Sequence, residues 1–123
     1  MSLLLGCAGS QLPAQLRHYT IVVEQRDSES VELARALRER GIKVRPRLRG
    51  GSGPTAALIY FTYQDPSDSG APTSFNLRLA DTRSGVIIRA GSITLDTTTA
   101  TPQARARAAV RALMAGDTSF SSP

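Results

Sequence analysis

Residues 74–95, SFNLRLADTRSGVIIRAGSITL, constrain this chain more than any other stretch. Two β-rich runs, "SFNLRLAD" and "GVIIRAGSITL", flank the turn residues "TRSG". Alternating apolar residues on either side of a Gly-containing turn read as a β-hairpin. If Asp81 faces Val86, then Leu79 meets Ile88, Leu77 meets Ala90 and Phe75 meets Ser92. That register collects apolar side chains on one face, and a one-residue slip would turn them all outward. Gly85 supplies the positive φ that the turn needs. Gly91 reads as a bulge that resets the alternation for Ile93 and Leu95. A hairpin with one apolar face is not stable alone, so the rest of the chain must cover it.

Two segments can do so. In "DSESVELARALRERG", residues 27–41, Asp27 or Ser28 can cap a helix. Glu29 and Glu32 sit in its first turn, Arg38 and Arg40 in its last, and Gly41 stops it. Acids near the N-terminus and cations near the C-terminus match the helix dipole. Val31, Leu33, Ala34 and Leu37 form its apolar stripe. In "TPQARARAAVRALMAG", residues 101–116, Thr101 caps, Pro102 takes the first helical position and Gly116 closes. Ala106, Ala109, Val110 and Leu113 face inward.

Three further strands complete the reading. "HYTIVVEQ", 18–25, alternates Tyr19, Ile21 and Val23 against Thr20, Val22 and Glu24. "IKVRPRLR", 42–49, is a short strand that Pro46 ends or forces to an edge. "AALIYFTYQ", 56–64, is apolar on both faces, as a central strand would be. "GGSGP" and "DPSDSGAPT" are loops, and Asp65 and Asp68 in the latter are turn formers. The order β-α-β-β-β-β-α predicts an α+β two-layer sandwich, a mostly antiparallel sheet with two helices on one face. At 123 residues the chain suits one domain, placed at 18–116, with a linker at 8–17 and a tail at 117–123.

The N-terminus points to location. Leu4-Leu5-Gly6-Cys7 places the only cysteine behind apolar residues and a glycine. This resembles the lipobox of secreted bacterial lipoproteins, whose cysteine thiol takes a diacylglycerol. Residues 1–7 then read as a shortened lipoprotein signal, and Ala8-Gly9-Ser10-Gln11 as a polar tether. A full signal would carry a basic n-region and a longer apolar run. The other reading is a frayed apolar N-terminus with a free thiol. By resemblance, Ala8 after the cysteine implies sorting to the periplasmic face of the outer membrane.

Asp81-Thr82-Arg83-Ser84-Gly85, Ala90-Gly91-Ser92 and the helix-Gly-strand step in "LRERGIKV" resemble small outer-membrane lipoproteins. The similarity is to the fold of curli-secretion-channel and penicillin-binding-protein-activator lipoproteins, over about residues 18–115. Those proteins often carry an aromatic just before the closing small pair, where Arg89 stands here. The resemblance implies a periplasm-facing accessory domain, often a homo-oligomer, without catalytic residues or cofactors.

Residue inventory also argues against an enzyme. His18 is the only histidine, so multi-His metal sites are excluded, and it reads as a surface residue at a strand entry rather than a catalytic base. "RGGSGP" lacks the Lys-Ser/Thr ending of a phosphate loop. No catalytic, metal-binding or cofactor-binding residues are expected.

The strongest local feature is charge. Residues 35–49 hold seven cations against Glu39 alone, a net of +6, which exceeds the +5 of the whole chain. Lys43, Arg45, Arg47 and Arg49 alternate and could share one strand face, a row suited to phosphate or carboxylate groups. Partners would be envelope proteins or anionic envelope polymers. The plainer reading is an edge strand charged to block edge-to-edge pairing. Fourteen of the fifteen cations are Arg, which either bidentate recognition or GC-rich coding would produce. A cytoplasmic nucleic-acid-binding domain is the alternative function, but this row has no interleaved aromatics on which bases could stack.

Overall fold

The computed structural model describes residues 13–47, 53–64 and 72–116. Its elements are β1 (Thr20–Val22), α1 (Ser28–Glu39), β2 (Lys43–Arg45), β3 (Thr55–Tyr63), β4 (Ser74–Asp81), β5 (Ile87–Thr94) and α2 (Pro102–Ala115). The order β-α-β-β-β-β-α and the α+β class are as the sequence predicts. The five strands form one sheet in the order β2-β1-β3-β4-β5.

The sheet is mixed. β1 runs parallel to both β2 and β3, while β3, β4 and β5 are antiparallel. The parallel ladders are three residues long, and the antiparallel ones carry most of the pairing. β1 and β2 are joined through α1, the type of crossover that parallel neighbours require.

Local chemistry sets the helix ends. The Asp27 carboxylate accepts from the Ser30 amide at 2.8 Å, and the Ser30 hydroxyl accepts from the Asp27 amide at 3.0 Å. This reciprocal cap satisfies amides that have no partner inside α1. Thr101 caps α2 by accepting from the Ala104 amide at 3.1 Å, with Pro102 at the first position. Gly116 ends α2 at φ +70°.

Both helices cover the same face of the sheet. Leu33, Ala34, Ala36 and Leu37 of α1 and Ala106, Ala109, Val110 and Leu113 of α2 join Ile21, Ala56, Phe75, Leu77 and Leu79 in one core. Val31, expected in the α1 stripe, is instead exposed, and Ala36 is buried in the helix contact. The packed unit also begins before His18: a 3-10 turn at Ala14–Leu16 buries Leu16.

The hairpin register differs from expectation by one residue over most of its length. Asp81 does face Val86, whose carbonyl accepts from the Asp81 amide at 2.9 Å. The irregularity then comes at once, between Leu79 and Ala80, where Ile88 is the extra residue. Leu79 therefore aligns with Arg89, Leu77 with Gly91 and Phe75 with Ile93, not with Ile88, Ala90 and Ser92. Gly91 is not the bulge. A Cβ there would lie 2.5 Å from the Leu113 amide nitrogen and 2.8 Å from the Ala112 carbonyl carbon. Gly91 is where the backbone of α2 rests on the sheet.

Candidate functional site

The register places alternate residues on the face the helices leave open. One row crosses the whole sheet: Arg45, Val22, Ala57, Ala80 and Ile87. Beyond it, Ile59, Phe61 and Tyr63 form a column along β3, respectively 43%, 38% and 54% exposed. The expectation that β3 is covered on both faces is corrected here. β3 is central within the sheet, but a second covering layer is missing among the described residues.

Lys43 and Arg45 stand on this open face, aligned with Thr20 and Val22 of β1. Both are exposed, whereas Val44 between them turns toward the core. They lie two strands, about 10 Å, to the side of β3 and level with Thr55 and Ala57, so the Ile59, Phe61 and Tyr63 column begins two residues further along the strand direction. The cationic row is shorter than expected. β2 ends at Arg45, and Arg47 is exposed beyond it, off the strand. Pro46 lacks an N–H, and the partner strand β1 has only three residues to offer. Arg49 and Cys7 lie outside the described residues. Among the described cations of the 35–49 stretch, Arg38 donates to the Val44 carbonyl at 3.4 Å and Arg35 sits 3.6 Å from Glu32.

Sequence reading missed three further cations, Arg78, Arg107 and Arg111. Arg78 of β4 sits on the open face with its guanidinium carbon 5.1 Å from the centre of the Phe61 ring. Its alternation with Leu77 and Leu79 was the signal. Arg107 and Arg111 of α2 meet Arg40 around a depression of about 120 Å³, where Arg107 pairs with Glu39 at 3.3 Å.

Arg89 has a structural task. Its Nε donates to the Leu113 carbonyl at 2.6 Å, and its guanidinium also bonds the Met114 carbonyl. A cation on the unsatisfied carbonyls at a helix C-terminus is favourable for both groups. This accounts for an arginine at this position of β5.

A cleft of about 440 Å³ lies at the other end of the helices, among Glu29, Tyr60, Pro72, Phe75, Leu95 and Arg105. Arg105 bridges the helices, donating from Nε to Glu29 at 2.6 Å and from Nη1 to the Thr99 carbonyl at 3.1 Å. The second Glu29 oxygen is buried without a partner among the described residues. Burial raises the Glu29 carboxyl above its ordinary value, and Arg105 offsets part of that.

No protein-family model matches the chain, and no curated protein matches it in sequence. The functional reading therefore rests on the residues themselves. Their arrangement offers a one-sided surface: cations at one edge, apolar and aromatic groups across the middle.

Proposed function

We propose that this protein is a non-enzymatic interaction module of the bacterial cell envelope. Cys7 takes a lipid anchor at the periplasmic face of the outer membrane. The open sheet face docks an acidic surface of an envelope assembly or of an anionic envelope polymer. The observation that carries the reading is the row Arg45, Val22, Ala57, Ala80 and Ile87, with Lys43 beside it and Ile59, Phe61 and Tyr63 adjoining. Exposed apolar groups rimmed by charge are typical of a protein contact. Charge at the rim steers association, and the apolar centre supplies burial.

Charge reversal tests this directly. Arg45→Glu with Arg47→Glu should abolish recovery of envelope partners in a pull-down and leave the melting temperature nearly unchanged. Wild-type binding should weaken steeply with salt, because exposed charges are screened over about 8–10 Å. Equal recovery by both proteins would leave the row as a guard against edge pairing and nothing more. The anchor is tested by mass spectrometry of the membrane fraction, where Cys7→Ser should lose the lipid adduct and release the protein.

One observation supports a second reading. Phe61 and Tyr63 are exposed on the same sheet face as Arg78 and Arg45, a layout on which single-stranded bases could stack. Titration with a labelled single-stranded oligonucleotide decides it. Binding that Phe61→Ala removes would favour nucleic acid over the envelope role.

A further inference from the structure

The two edges of the sheet are built differently. β2 is three residues long, carries Lys43 and Arg45 and is followed by Pro46. Short length, charge and proline are the ordinary means of blocking an edge. β5 is neither short nor proline-bearing, and its one charge does not face outward. It runs for eight residues, Ile87–Thr94, with no proline and one charge. That charge, Arg89, is turned onto the C-terminal carbonyls of α2. Among the described residues β5 pairs only with β4.

The direction of its backbone groups follows from one bond. The Leu95 amide donates to the Thr73 carbonyl at 3.0 Å, so residue 95 faces β4. By the alternation of an antiparallel ladder, 93, 91 and 89 also face β4, and 90, 92 and 94 face outward. Ala90 and Ser92 thus present their amides and carbonyls, and Thr94 its amide, to an added strand, while the Thr94 carbonyl accepts from the Thr99 hydroxyl at 3.4 Å and must exchange that long bond for the new pairing.

We propose that this edge pairs with β5 of a second copy of the chain, antiparallel about a two-fold axis at Ser92, to give a continuous ten-stranded sheet. In that register Ser92 meets its own copy, and Ala90 meets Thr94 of the other protomer. All are outward-directed residues whose side chains lie on the open face. On the helix side Gly91 meets Ile93. No like charges are opposed, and the two Arg89 residues lie about 20 Å apart along the strands. Charge distribution favours this edge for self-association. The excess cations sit at β2, four strands away in each copy, about 19 Å, which is beyond the screening length of about 8–10 Å. The one charge of β5, Arg89, is taken up by the α2 carbonyls and so steers no foreign strand, whereas a second copy matches the edge residue for residue.

Sedimentation of the full chain in reducing buffer, over a concentration series into the high-micromolar range, tests the inference. Wild type should pass from monomer to dimer and stop there, because a two-fold contact closes. Ser92→Lys and Ser92→Glu should each weaken the dimer at least tenfold, and an equimolar mixture of the two should restore it. Amide exchange on wild type provides a readout independent of any variant: the Ala90, Ser92 and Thr94 amides should slow as concentration rises. A monomer at every concentration, growth past dimer, exchange that ignores concentration, or a folded Ser92→Lys protein that dimerises like wild type would each overturn the pairing.

Discussion

Asp81 shows how much one turn residue can organise. Its carboxylate accepts from the Arg83 amide at 2.8 Å, the Ser84 amide at 3.0 Å and the Tyr19 hydroxyl at 2.6 Å. The amides close the hairpin turn, and the hydroxyl ties that turn to the start of β1. These donors, the tyrosine first, hold the carboxyl down at about 2. An unfolded aspartate titrates near ~3.9, so the folded state binds the proton less readily. The contribution of Asp81 is therefore complete above that value and is lost as pH falls through about 2. Asp81→Asn should lower the melting temperature at neutral pH, and the gap to wild type should close on acidification. A gap that persists unchanged into strong acid would show that the carboxylate charge is not what the three donors recognise. The Asp-Thr-Arg-Ser-Gly string made the turn legible in the sequence. The Tyr19 contact was not, because it joins residues 62 positions apart.

At the scale of elements, the contact between α2 and β5 fixes how the layers meet. Leu113 packs in the core, its carbonyl accepts from Arg89, and its amide nitrogen lies against the Gly91 backbone. The helix can come this close only because residue 91 has no Cβ. Gly91→Ala must push α2 outward or distort β5, since backbone atoms and not a flexible side-chain end are in the way. The expected cost is about 1–3 kcal/mol, as for other overpacked sites, read from denaturant melts. An Ala variant as stable as wild type would mean that helix and strand are further apart than described. The sequence marked Gly91 as special but assigned it the wrong reason. Glycine in a strand signals either a bulge or a close approach, and only the neighbouring helix distinguishes the two. The same ambiguity affected the hairpin: the extra residue fell at Ile88, which no local signal identifies.

For the whole molecule, stability should follow the one covered face. Leu79 is fully buried between sheet and helices, and Leu79→Ala should cost about 2–4 kcal/mol. Arg83→Ala, at the exposed turn, should stay within about 0.5 kcal/mol. A neutral Leu79→Ala in the same melts would contradict the assignment of faces. The sequence by itself determined the element order, the caps at Thr101 and Gly116, and the inward faces of α2 and β4. These follow from local propensity and periodicity, which act within a few residues. It also read Pro46 as ending β2 or forcing it to an edge, and β2 both stops at Arg45 and lies at an edge of the sheet. Tertiary structure decided the parallel pairing of β1, the pairing of Arg105 with Glu29 across the helices and, among the described residues, the single covered face of β3 and the β5 edge that pairs only with β4. Each of these depends on which surfaces meet. An apolar run such as residues 56–64 reads the same whether one of its faces is covered or both.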